Sequence, residues 1–185
     1  SREYYNTLQA AVIAHTGSIY LLKDVNENIS SINKIDVYFD NYTFTGAMTS
    51  GSTIWINDGN ANLNNVKCET FKAGYSTCVA KITVKDGSAA DIIVSKNANL
   101  TIEGGTYTGS ITMTSGGTGS LTITGGTFSS DVSQYIPENY VEYAMRNGTY
   151  IVKASSADEP AFTTGNYWSD LNGKVYTELY SAPYI

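Results

Sequence analysis

The sequence predicts an all-β chain wound as a parallel β-helix, a solenoid whose coils stack and bury one another's apolar strands, and three observations carry that prediction. First, the chain repeats itself: LTIEGGTYTGS (Leu100 to Ser110) and LTITGGTFSSD (Leu121 to Asp131) superpose at one constant shift, which puts Leu100 on Leu121 and Tyr107 on Phe128. A more diverged segment, VYFDNYTFTG (Val37 to Gly46), aligns with the first copy at three times that shift, which reads as three coils of the same period. Second, each copy consists of short alternating apolar runs broken by Gly-Gly or Ser-Gly-Gly-Thr-Gly. Such a strand cannot bury its apolar face alone, so neighbouring copies must stack, with coils of roughly 20 residues. Third, 17 Gly, 15 Tyr and abundant Thr, Ser and Asn, against 15% charged residues, form the palette of strands joined by tight turns. An antiparallel β-sandwich also shows short strands at regular spacing, but near-identical copies in register favour the solenoid.

The elements follow in order. Tyr4, Leu8, Ala11, Val12 and His15 lie at helical spacing, which predicts a short amphipathic N-terminal helix capping the first coil, with His15 as a helix-capping residue. IYLLKDV from Ile19 reads as the first strand and IDVYFDNYTF from Ile35 as the next. Asn-Ala-Asn-Leu recurs at Asn60 and Asn97, a spacing that is no multiple of the repeat and so implies coils of unequal length. Gly104-Gly105 and Gly116-Gly117 recur with the coils and no helix follows them, so they read as corners and not as a nucleotide-binding fingerprint. Val132 to Ala154 forms a distinct module in which Asn147-Gly148 signals a hairpin, and it caps the far end. Residues 1–154 are therefore read as the capped β-helix. Residues 155–185 are read as an aromatic-rich tail that packs on the solenoid or on a neighbouring subunit.

The net charge of −6, with Arg only at positions 2 and 146, opposes binding to nucleic acid or an anionic membrane. No run approaches the length of a membrane span. Cys68 and Cys78 are the only cysteines; they either close one short loop as a disulfide or remain two buried thiols.

LLKDVNENI (Leu21 to Ile29), DNYTFTG (Asp40 to Gly46) and GGTFSSDVSQYIPENYVEYAMRNGTYIVK (Gly125 to Lys153) together resemble the β-helical repeat regions of large bacterial surface proteins, common in gut Firmicutes. Those regions pair a Leu-Gln-Ala-Ala-type helix, here Leu8 to Ala11, with a "TLLKDV" strand, a "DLNGHTLTG" turn and a closing "GGTFSSDVSDYVPEGY…NGTYTV". The likeness covers most of residues 7 to 153. It implies a right-handed β-helix, export and a place on the cell surface, and it implies no activity. Phage fibres share such repeats, and the tail after Ala154 departs from the pattern.

Candidate chemistry is sparse. A lyase or glycoside hydrolase on this fold needs paired carboxylates, or a metal beside a basic residue. Asp40 and Glu103 fall at matching repeat positions, three coils apart by the alignment of Val37 with Leu100, and read as solvated turn residues. One His, with no nucleophile motif near it, supports no triad, and three Cys and His in all are too few for structural zinc. Asp58, Asp86 and Asp91 lie near turns without the Asp-x-Asp-x-Asp-Gly loop of a calcium site. The expectation is no enzyme, no metal and no cofactor. The tail residues Tyr167, Trp168, Tyr176, Tyr180 and Tyr184 are the candidate binding or assembly contacts, since Tyr and Trp dominate such contacts. The expected role is an extracellular structural or adhesive surface module, engaging a host glycan, a protein or copies of itself as a filament. The alternatives are a carbohydrate-active β-helix enzyme and a phage tail-fibre component.

Overall fold

The computed structural model describes residues 3–14 and 17–155, with the backbone of 167–169 and 175–177. It is a parallel β-helix of about six coils, each a triangle of three short strands, so the solenoid has three sides. After helix α1 (Leu8–Ala14), the first coil is β1 (Ile19–Tyr20), β2 (Val25–Asn26) and β3 (Ile29–Ser31). The second is β4 (Ile35–Tyr38) and β5 (Thr43–Ser50), the latter bending at Gly46 to serve two sides. The third begins with β6 (Thr53–Ile56), and β7 (Gly59–Ala73) completes it and then opens the fourth. β8 (Ala80–Val84) and the start of β9 (Gly87–Val94) complete the fourth coil. The end of β9 opens the fifth, which closes with β10 (Ala98–Ile102) and β11 (Thr106–Tyr107). β12 (Ile111–Met113), β13 (Ser120–Ile123) and β14 (Gly126–Phe128) form the sixth.

Inward-facing residues stack in columns because the pairing is parallel and in register. On the first side, Ile35, Ile54, Phe71, Ile92 and Ile111 lie one above another. On the second, the column is Phe44, Ala61, Ile82, Leu100 and Leu121. These columns merge into one continuous core, with Phe39 stacked on Phe44 at 5.6 Å in the second coil. The corner between the second and third sides is a column of glycines, Gly87, Gly105 and Gly126, at φ of 138°, 108° and 118°. A side chain at Gly87 would place Cβ 2.0 Å from the Val66 carbonyl oxygen of the coil before it, so only glycine fits there.

The short repeat is a true register: Leu100 pairs with Leu121, and Tyr107 with Phe128. The longer alignment is not. Val37 belongs to the first side and Leu100 to the second, and Phe44 is related to Leu100 rather than to Tyr107. Each side of the prism is itself a strand followed by a polar corner, so the match locks onto the wrong side. The two Asn-Ala-Asn-Leu copies do share a side, but out of step: Asn60 stacks with Asn99, not Asn97.

The ends are capped, by different means. The helix is shorter than its apolar spacing predicts, Leu8–Ala14, and it buries Leu8, Ala11 and Val12 against the first coil while Tyr4 stays exposed. Gln9 supplies what a further coil would supply: its side chain accepts from the Ser30 N–H and donates to the Ser30 carbonyl, both at 2.7 Å. Glu27 in turn accepts from the N–H groups of Leu8 and Gln9 at the start of the helix. His15 lies outside the described residues. At the far end, β15 (Tyr140–Ala144) and β16 (Tyr150–Ala154) form the predicted hairpin around Gly148, and β16 pairs antiparallel with β14. In the tail, β17 (Tyr167–Ser169) and β18 (Val175–Thr177) form an antiparallel ladder with Trp168 opposite Tyr176. Tyr180 and Tyr184 lie outside the described residues.

Candidate binding surface

Outward positions on the first side alternate with the core columns, and in successive coils they carry aromatic residues. Tyr20 follows inward-facing Ile19, Tyr38 follows Val37, and Trp55 lies between Ile54 and Ile56. The next corner adds Tyr75, directly after Gly74. Tyr20 and Tyr38 stack at 4.8 Å with their planes 15° apart, which is close to the spacing of adjacent strands. Trp55 and Tyr75 meet at 5.7 Å and 48°, and the ammonium of Lys72 sits 5.1 Å over the Trp55 ring.

Two features of the sequence make room for these rings. The positions stacked beyond Tyr38 are Asn57, whose side chain is turned into the body, and Gly74, which has none. Asn57 is wholly buried and donates to Asp36 at 2.6 Å and to the Val37 carbonyl at 3.1 Å, leaving its own Oδ1 without a partner. Trp55 is fixed by donating from Nε1 to the Gly74 carbonyl at 2.9 Å, and Ser95 donates to the same oxygen. The Tyr38 phenol is held above the ordinary tyrosine value, first by partial burial and then by Tyr20, Asp36, Cys78 and Tyr75 around it. The flank of the first side thus carries two ring pairs, Tyr20 with Tyr38 and Trp55 with Tyr75, the second close enough for Tyr75 to act on the Tyr38 phenol. Such a flank offers ring edges and faces for stacking, an ammonium at Lys72 and, at Asp36, a carboxylate whose second oxygen lies 3.9 Å from the Lys34 ammonium, a surface suited to binding.

The acidic residues singled out in the sequence are not brought together. Asp58 accepts from the N–H groups of Phe39 and Asp40, Asp91 from the N–H and hydroxyl of Ser110, and Asp24 from the Thr43 N–H. Each is a corner residue tying its coil to a neighbouring one, and the Ser110 bonds hold the Asp91 carboxyl below the usual range. Asp86 caps its own corner through the Gly87 N–H. Asp40 stands at the corner between the first and second sides, and Glu103 at that between the second and third, so they are not equivalent positions. Among the described residues no group of three His, Cys, Asp or Glu is placed to hold a metal ion. None of their helices is long and apolar enough to cross a membrane.

Cys68 and Cys78 carry free thiols, so the disulfide is not formed. Cys68 ends the run of β7 along the third side, while Cys78 follows the corner after the first side, and the whole of Thr70–Ala73 lies between them. A disulfide needs Cα atoms within about 7 Å, which a full side of the prism does not allow. Burial pushes the Cys68 thiol up to about 12, with a backbone contact from Ile54 acting against it.

The tail residues Tyr167, Trp168 and Tyr176 form their own ladder, and the side chains of Tyr20, Tyr38, Trp55 and Tyr75 were not read from the sequence as a site. Their signal was there: Tyr20, Tyr38 and Trp55 recur at outward positions once per coil. The chain matches no protein-family model, no curated protein and no solved structure.

Proposed function

We propose that this chain is a non-catalytic, extracellular structural or adhesive module: a rigid β-helical rod that holds a host glycan or protein against its aromatic flank. The observation that carries this reading is the convergence of Tyr20, Tyr38, Trp55 and Tyr75, from four successive coils, on one side of the solenoid. Aromatic residues at outward positions contribute nothing to the solenoid core, and exposed Tyr and Trp are the residues that dominate recognition surfaces. The use of the corner acids as acceptors for backbone N–H groups weighs against the alternative of a carbohydrate-active enzyme, since a general acid or base must face substrate. The motif likeness to bacterial surface β-helices supports the extracellular placement.

The test is binding to immobilised mucin glycoprotein by surface plasmon resonance, with Trp55→Ala and Tyr75→Ala beside the unsubstituted chain. Loss of binding in both variants, each still folded by circular dichroism, is expected; equal binding by all three sinks the flank as the contact.

Head-to-tail assembly is a second reading, favoured by one observation. At either end of the first side, β1 pairs only with β4 and β12 only with β9, so each leaves an outer edge unpaired with any described strand. Light scattering across a concentration series separates the two: growth of mass with concentration supports fibres, and a constant monomer mass supports the single displayed rod.

A further inference from the structure

Among the described residues, the caps at the N-terminal end leave one gap. Gln9 closes the edge of β3 and Glu27 holds the helix start, but in front of β1 lies a cleft of about 690 Å³ between the Glu3–Thr7 segment and the first coil. Tyr20 forms part of its wall. One face of the Tyr20 ring is covered by Tyr38, yet the residue is 61% exposed, so its other face is turned to the cleft. Backbone geometry adds polar groups at the same place. Leu21 donates to the Tyr38 carbonyl, and in a parallel strand alternate residues point their N–H and C=O to opposite sides, so those of Tyr20 point away from β4 into the cleft. Asn6, Lys23 and Asp40 line the surround, supplying an amide, an ammonium donor and a carboxylate acceptor.

We infer that this cleft binds a saccharide, one sugar ring of which stacks its C–H face on Tyr20 while its hydroxyls bond to Asn6, Lys23, Asp40 and the Tyr20 backbone. A flat apolar face ringed by both donors and acceptors matches a pyranose, which is apolar on its faces and carries hydroxyls around its rim. An extended peptide added to the edge is the poorer fit. β1 is two residues long and only Tyr20 presents its backbone outward, whereas strand addition draws its affinity from a run of main-chain bonds. The inference rests on the adhesive reading above and narrows it to a ligand class and to one end of the flank.

The test uses methyl and aromatic NMR spectra of the full chain titrated with cellotriose, maltotriose and triacetylchitotriose. At least one of the three is expected to shift the Ile19, Leu21 and Leu22 methyls and the Tyr20 ring. Tyr20→Ala is expected to weaken that saccharide by about tenfold, the upper range of one ring-stacking contact. Asp40→Asn, which keeps the backbone and the shape of the corner, is expected to weaken it to a smaller extent. Shifts that persist unchanged in Tyr20→Ala overturn the inference, as does the absence of shifts with all three saccharides. Shifts gathered instead around Trp55 and Tyr75 also overturn it while leaving the flank reading standing. Mucin binding that is insensitive to Trp55→Ala and Tyr75→Ala sinks the flank reading independently.

Discussion

Tyr107 and Phe128 stand one above the other inside the third side, in consecutive coils, with ring centroids 5.2 Å apart and planes 19° from parallel. Tyr107 also donates from its hydroxyl to the Gly104 carbonyl, at the Gly-Gly corner just before it. Phe128 is 1% exposed at the last coil, so Phe128→Ala is expected to cost about 3–5 kcal/mol by removing both the buried ring and its stacking partner. Phe128→Tyr is expected to be nearly neutral, because Gly125 stands where Gly104 stands for Tyr107 and can accept the added hydroxyl. Urea unfolding of the two variants checks both; equal loss in both would mean that the corner cannot accept a donor.

That pair also shows what was legible in the sequence. The short repeat is read correctly because the fifth and sixth coils keep the same length and side chains on their second and third sides, from Leu100 on Leu121 to Tyr107 on Phe128. Earlier coils do not. Along the first side Ile54 pairs with Phe71 and Phe71 in turn with Ile92, so the coil between the first two is shorter than the coil between the second two. With lengths that vary in this way, the alignment of Val37 with Leu100 slides by one side without losing its pattern. The site was harder to read for a related reason. Aromatic density points to Tyr167 and Trp168, whereas Tyr20, Tyr38 and Trp55 are ordinary singly and form a series only once outward and inward positions are told apart. The corner acids were legible as turn residues, but their bonding to the neighbouring coil depends on a register that the sequence alone does not supply.

Gln9 is expected to act as a stopper for the solenoid edge. Its side chain makes both hydrogen bonds that a preceding coil would make to Ser30, so Gln9→Ala leaves an edge N–H and C=O open on the third side. A loss of about 1–3 kcal/mol is expected for two such bonds at a partly exposed edge. Faster amide exchange at Ser30 and concentration-dependent association by light scattering would follow. Slow exchange at Ser30 in the variant would show that the rest of α1 is sufficient to seal the edge.

The two thiols are expected to differ in reactivity. Cys68 packs against the core, and burial, its largest influence, raises its thiol to about 12, so little thiolate is present near neutral pH. Cys78 sits half-buried in the corner after Tyr75. Titration of the native chain with Ellman's reagent at neutral pH is expected to label Cys78 alone, with the second equivalent appearing on unfolding in urea. Two fast equivalents from the native chain would mean that the third-side corner opens, and Cys78→Ser identifies which thiol reacts first.

Glu142 and Asp131 form the clasp between the last coil and the hairpin cap. Glu142 accepts from the Val132 N–H at 2.7 Å, Asp131 accepts from the Ser133 N–H at 2.8 Å, and each carboxyl perturbs the other. Burial, with the neighbouring Asp131 charge adding to it against the Val132 bond, raises Glu142 above its ordinary 4.5. The Ser133 hydroxyl and N–H lower Asp131 below 3.8. The signs are therefore opposite. The Glu142 contribution is present below 4.5 and is lost as pH rises through its raised value, because the folded chain must then hold two adjacent carboxylates. The Asp131 contribution is present above 3.8 and is lost as pH falls through its lowered value. The cap is tightest between those limits, with Asp131 ionised and Glu142 protonated. Glu142→Gln keeps an oxygen for Val132 and places an amide donor toward Asp131 at every pH. It is expected to raise the melting temperature at neutral pH and to remove the decline expected of the unsubstituted chain between mildly acidic and neutral solution, leaving only the acid limb of Asp131. A melting-temperature profile against pH checks this, and a wild-type profile that is flat from mildly acidic to neutral pH would show that the pair carries no proton the fold depends on.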